Sequence, residues 1–180
     1  MQAVDHRIQL ISFTANRIVA RSDRSFEAVV QSIEASSGKF DNQTFVEIVR
    51  SQQSAEQVKQ AAEAMAGKSG FMIFSVLEHG KLLSLGAQRQ KANQKTNQKA
   101  NQKAKLYIIG NPLIARAMFQ ADPSMGLYVP LRLFVYESEG QTCIAYDRPS
   151  SLLGQFDHQT IQDTAQMLDD KLEAMVAAAL

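Results

Sequence analysis

The chain has 180 residues, of which 45% are hydrophobic and 21% charged, and a formal net charge of +1. That is enough for one domain with a sizeable core, and the balance is that of an ordinary soluble protein, not of a disordered, fibrous or membrane-embedded one. The single cysteine, Cys143, excludes an intrachain disulfide and a Cys-based zinc site and fits a reducing, cytoplasmic compartment. Asp5, His6 and Arg7 stand where a signal peptide would need an apolar run, and the longest apolar stretch, Gly70–Leu77, is too short to span a bilayer.

In chain order, Arg7–Arg21 reads as a strand. Ile8 and Leu10 alternate, then Ile11, Phe13 and Ala15 continue in the other phase, which predicts a bulge or burial on both faces. Ser22-Asp23 offers an N-cap for a helix carrying Phe26, Val29, Val30 and Ile33, and Gly38 is expected to end it. Asp41 can cap a second short helix with Phe45, Ile48 and Val49. Ser54-Ala-Glu-Gln57 has the form of a capping box opening a third helix. Gly70–Leu77 follows as a buried strand that ends at His79-Gly80, and Leu82, Leu83 and Leu85 form an apolar turn or short helix.

Leu106–Gly110 is a short strand, and Asn111-Pro112 reads as the N-cap and first residue of a helix with Leu113, Ile114, Ala117 and Met118. Along Leu131–Glu137, Leu131, Leu133 and Val135 alternate with Arg132, Phe134 and Tyr136. Ser138-Glu-Gly-Gln141 supplies a hairpin turn and Thr142–Asp147 the returning strand. Ile161, Ala165, Leu168, Leu172, Met175 and Ala179 form a heptad-like stripe on one long C-terminal helix, which buries either against the sheet or against a second copy in a homodimer. The expected fold is α+β: a largely antiparallel sheet with packed helices.

The stretch Leu106–Leu152 resembles the domain-of-unknown-function 302 family. The residues that carry the resemblance are Gly110-Asn111-Pro112, Asp122-Pro123, Gly126-Leu127, Val129-Pro130-Leu131, Tyr146 and Pro149, in that order. Upstream, the segments SDRSFEAVVQSI and GFMIFSVLEHG look like the family's first helix and second strand. The resemblance implies an α+β fold related in outline to the TATA-binding-protein fold, and it brings no activity and no catalytic residue with it. Some members place a Cys where this chain has Gly110, so thiol chemistry is not expected at that position.

Several residues are candidates for function. Arg132 and Tyr136 share one face of a strand, Tyr146 lies on the neighbouring strand, and Asn111 opens a helix. Together they are expected to line a shallow polar-aromatic ligand site in a small binding or interaction module. The alternative is an enzyme in which Glu78 and His79 act as acid–base partners. Cys143 reads as a small buried side chain. No catalytic residue, metal ligand set or cofactor is assigned.

The chain is expected to be one domain over residues 1–180, with residues 88–105 a low-complexity basic loop insert built on the unit Lys-x-Asn-Gln. Arg89 to Lys105 holds six cations and no acid, so the rest of the chain carries −5. As a helix, Lys91, Lys95, Lys99 and Lys103 would stack like charges at four-residue spacing with no apolar face in return, so a loop is expected. Through these four lysines the chain would bind polyanions weakly and without sequence preference, since the repeat offers no aromatic ring to stack on bases. No membrane partner is expected.

Overall fold

The computed structural model describes residues 8–51, 54–81 and 103–180. In chain order the elements are β1 (Arg17–Ser22), α1 (Phe26–Ser36), β2 (Gly38–Lys39), α2 (Asn42–Arg50), α3 (Ala55–Met65), β3 (Met72–Leu77), β4 (Ala104–Gly110), α4 (Pro112–Ala121), a 3-10 turn (Pro123–Leu127), β5 (Leu131–Ser138), β6 (Gln141–Asp147), α5 (Pro149–Leu153) and α6 (Gln159–Ala179). These strands form one sheet in the order β1-β6-β5-β4-β3-β2. Every neighbouring pair is antiparallel except β2 and β3. The fold is therefore α+β, with a largely antiparallel sheet and a long C-terminal helix.

Local chemistry explains most boundaries. The Ser54 hydroxyl accepts from the Gln57 amide at 3.3 Å while the Gln57 side chain accepts from the Ser54 amide at 2.9 Å, a complete capping box on α3. Asp41 caps α2 through the Thr44 amide at 3.1 Å. Asn111 caps α4 through the Leu113 amide at 2.9 Å, and Pro112 follows where no amide proton is needed. Glu139 and Gly140 both adopt positive φ, 54° and 81°, forming a two-residue hairpin loop that pairs Ser138 with Gln141.

Three boundaries ahead of α2 differ from the sequence reading. β1 begins at Arg17, not Arg7, because its partner β6 ends at Asp147, opposite Arg17, just before Pro149 opens α5. Upstream of it Ile8 and Leu10 are 76% and 90% exposed, so the alternation there has no sheet to join. The cap of α1 is Ser25, whose hydroxyl accepts from the Ala28 amide, whereas the Ser22 hydroxyl donates to the Leu180 carbonyl. Gly38 begins β2 after α1 has ended at Ser36. The proposed turn at Leu82, Leu83 and Leu85 lies outside the described residues.

The core lies on one face of the sheet. Leu131, Leu133 and Val135 of β5, Tyr107 and Ile109 of β4, and Ile144 and Tyr146 of β6 are buried there under α1, α4 and α6. The whole α6 stripe, Ile161, Ala165, Leu168, Leu172, Met175 and Ala179, is at most 4% exposed. The chain spends this stripe on its own core, which leaves the stripe no free surface to offer a second copy.

Two further contacts tie the helical layer down. The connection after α1 crosses the one after α3 so closely that a Cβ on Gly38 would stand 1.7 Å from the Met65 carbonyl oxygen. Asp169 of α6, with no exposed surface, accepts from the Arg148 Nε at 2.8 Å and the Ser150 amide at 3.0 Å, and from the Ser150 hydroxyl. Arg148 also reaches Glu173 at 3.1 Å, so the turn from β6 into α5 is fastened to α6. At the other end of the sheet, the buried Tyr107 hydroxyl donates to Glu34 of α1 at 2.8 Å, and the Lys105 ammonium lies 3.4 Å from Glu34 and 3.3 Å from Glu78.

Gly38→Ala should destabilise the fold by about 3 kcal/mol or more, because the added methyl meets fixed backbone and not a movable side chain. Urea unfolding of the two proteins measures it, and a loss below 1 kcal/mol, on the order of an ordinary surface change, contradicts the crossing. Burial, then the hydrogen bond and charge of Glu34, hold the Tyr107 phenol well above its ordinary pKa of 10.0. The folded state thus keeps a proton that the unfolded chain releases near pH ~10. The stability this provides is intact below that pH and is lost as pH rises above it. Tyr107→Phe should cost about 1 kcal/mol at pH 7 and flatten the fall in stability between about pH 10 and 11, as read by urea midpoints along a pH series.

Candidate functional site

The face of the sheet opposite the core is chemically distinct. The hairpin register pairs Tyr136 with Cys143 and Phe134 with Ala145, and β1 sets Arg21 against Cys143 and Arg17 against Asp147. With period-2 alternation, Arg132, Phe134, Tyr136, Cys143, Ala145, Asp147, Arg17, Val19 and Arg21 share this face. A cavity of about 760 Å³ opens over it, walled by Arg17, Val19, His79, Leu106, Tyr128, Arg132, Phe134 and Tyr136 among others.

Aromatic rings form its floor and rim. Phe134 and Tyr136, two residues apart on β5, stack with centroids 5.1 Å apart and planes 18° from parallel. His79 meets Phe134 edge-on at 6.0 Å. At the rim, Tyr128 receives Phe13 at 5.7 Å and Phe156 at 5.9 Å, both edge-on. Burial pushes the Tyr136 phenol above its ordinary pKa, with the neighbouring Cys143 acting in the same direction, so Tyr136 stays a neutral donor at physiological pH. Cys143 itself is buried and unpaired.

The charges of the wall are unevenly satisfied. Arg17 and Asp147 form a two-point pair, Nε to Oδ1 at 2.8 Å and Nη2 to Oδ2 at 3.2 Å, which raises the pKa of Arg17 and cancels both charges. Arg132 is exposed, and among the described residues its guanidinium makes no hydrogen bond or ion pair. The cavity therefore carries one uncompensated positive charge beside a stacked aromatic pair.

The four residues singled out in the sequence are divided by the fold. Arg132 and Tyr136 lie together on the open face and line this cavity. Tyr146 borders it, but its place on β6, opposite Ile18, turns the ring to the helix side, where it is 4% exposed within the core. Burial and the carboxylates of Glu173 and Asp169 raise its pKa. Asn111 lines a second cavity of about 430 Å³, at the end of β4. Its amide is engaged at both ends, the oxygen accepting from the Leu113 amide and the nitrogen donating to the Gly70 carbonyl, each at 2.9 Å, so it serves as a helix cap and strand tie.

Glu78 and His79 turn to opposite sides. Glu78 pairs with Lys105, while His79 packs on Phe134 at the open cavity, and among the described residues no hydrogen bond joins them. Among the described residues, no group of three or more His, Cys, Asp or Glu is placed to hold a metal ion, and no helix is long and apolar enough to cross a membrane. Of the repeat lysines, Lys91, Lys95 and Lys99 lie outside the described residues. Lys103 is held by Glu27 at 2.6 Å and Glu137 at 3.5 Å, and β4 starts at Ala104, inside the segment 88–105.

Sequence reasoning missed the second cavity entirely. Its rings, Phe40, Phe45, Phe74 and Phe119, come from four separate elements or connections. The Phe40 and Phe74 centroids are 4.4 Å apart. The register irregularity between Ile73 and Ser75, at Phe74, appears only in the strand pairing and leaves no signal in the sequence.

The chain is similar in fold to a crystal structure described as an uncharacterized conserved protein DUF302 from Bacillus stearothermophilus, at 15% identity and a TM-score of 0.58, over 91% of this chain and 98% of that one. Among curated proteins none matches. A family profile described as "Domain of unknown function DUF302" matches residues 47–179, a span that takes in α3 through α6 and the end of α2. On that match the chain belongs to the DUF302 family.

Proposed function

We propose that the chain is a single-domain binding module whose site is the open-face cavity and whose ligand is a small organic anion with an apolar body. One observation carries this reading: among the described residues the Arg132 guanidinium has no partner, and it stands beside the stacked Phe134 and Tyr136 rings in a cavity whose other opposite charges, Arg17 and Asp147, cancel. A planar fork of donors next to an apolar floor suits a carboxylate on an apolar skeleton. The volume, about 760 Å³, falls within the ordinary range for small-molecule sites. Among the described residues nothing in the wall pairs a nucleophile with a base, which favours binding over catalysis. The lone, buried Cys143 favours a reducing, cytoplasmic setting.

Benzoate and hexanoate serve as probes, with benzyl alcohol and hexanol as their uncharged counterparts. In an amide chemical-shift titration the acids should move the signals of Arg132, Phe134 and Tyr136. Arg132→Gln should weaken the acids by about 2 kcal/mol, roughly thirtyfold, and leave the alcohols unchanged. If the acids move no signal in this cavity, or bind the variant equally well, the reading is wrong.

A further inference from the structure

The open-face cavity does not end at its own wall. Pro130 and Leu131 line both it and the second cavity, so the two adjoin directly at the start of β5. Arg132 stands two residues beyond Pro130, on the order of 7 Å along the strand. The second cavity is the more apolar of the two. Of its lining side chains only Asn42 and Asn111 are polar, and the Asn111 amide is already spent on Leu113 and Gly70. A space of about 430 Å³ could hold about fourteen waters, yet it offers them almost no hydrogen-bond partners. Such a space gains free energy when an apolar group displaces that water.

Gly110 marks the junction. A Cβ there would lie 3.1 Å from Cε2 of Phe74 and 3.4 Å from Cβ of Pro130, the residue common to both cavities. The absence of a side chain on Gly110 keeps the floor low where the two spaces meet.

We infer that the ligand is an elongated amphipathic anion of the fatty-acid class, with its carboxylate at Arg132 and its hydrocarbon tail over Gly110 in the cavity formed by Phe40, Phe45 and Phe74. This deepens the reading of the open-face site and rests on it. Charge complementarity fixes the head, because Arg132 is the unpaired cation beside the junction. The aromatic lining fixes the tail, because only an apolar group gains from entering it.

The test is a calorimetric titration of the whole chain with straight-chain acids from acetate to decanoate, kept below their micelle concentrations, and with the matching alcohols. Affinity should rise about fourfold per methylene once the chain is long enough to pass Pro130. Arg132→Gln should weaken every acid by tenfold or more while leaving the increment per methylene unchanged. Gly110→Val should abolish the increment while acids too short to pass Pro130 bind as before. Phe45→Ser, a change on the half-buried rim, should reduce the increment and guards against a folding failure of the glycine variant. A flat dependence on chain length, with Arg132-dependent binding of short acids, overturns the tail assignment and leaves the anion site standing. No Arg132-dependent binding of any acid overturns both.

Discussion

The helical layer covers one face of the sheet, and strand alternation does the rest. On β5 the odd positions, Leu131, Leu133 and Val135, are buried under α1 and its neighbours, which commits Arg132, Phe134 and Tyr136 to the other side. A register slip of one residue would bury a guanidinium in the core and expose three aliphatic side chains. Burial of those aliphatics, at about 1.5–3 kcal/mol each, therefore fixes the geometry of the candidate site although none of them supplies its recognition chemistry. The stacked rings and the free cation are held in place by a core they do not join.

The edges of the sheet need separate fixing, because an edge strand has one neighbour only. β1 is held to β6 along its full length, and the Arg17–Asp147 pair closes that ladder where β6 stops. Immediately beyond, Arg148 and Ser150 are bound by the buried Asp169, which locks the exit of β6 to α6. An unpaired carboxylate at that depth would be costly, and the pair is worth keeping for where it puts the chain more than for net stability. The opposite edge depends on the backbone crossing at Gly38 and Gly67, which lets β2 reach β3 in parallel. This edge carries Phe40 and α2, so the crossing also sets one wall of the second cavity.

Much of this was legible in the sequence because it is local. The capping box at Ser54, the Asn111-Pro112 helix start, the α6 stripe and the alternation of β5 each depend on residues within a few positions of one another. The two-residue loop Glu139-Gly140 also determines which β6 residues face Tyr136. Pairing Ser138 with Gln141 forces Tyr136 onto Cys143, and by alternation Tyr146 must face the core. That register was available in the sequence, and following it would have separated Tyr146 from Arg132. The second cavity was not available in this way. Phe40, Phe45 and Phe74 meet only because β2 is drawn beside β3 by two glycines far apart in the chain. Asn111 misled for a different reason: the polar residue a helix start requires has the same appearance as one offered to a ligand.

The Lys-x-Asn-Gln repeat takes its meaning from the strands that flank it. Leu77 of β3 pairs with Leu106 of β4, so the two strands are antiparallel neighbours whose facing ends already meet. A connection between such ends needs only a few residues, and the cost of more grows with the logarithm of length. The register is set from the β4 side. Lys103 is bound by Glu27 and Glu137, and Lys105 by Glu34 and Glu78, so both cations at the entry to the strand are satisfied by the acidic body of the protein. Any pull the segment exerts on a polyanion falls to Arg89, Lys91, Lys95 and Lys99, four of the six cations counted in the sequence. Because the salt dependence of such binding scales with the number of phosphates neutralised, taking two of the six cations out lowers the exponent by about a third. The body of the protein thus draws the last lysine of the repeat into its own fold, and a segment that reads in sequence as a basic loop insert ends as an anchor for β4.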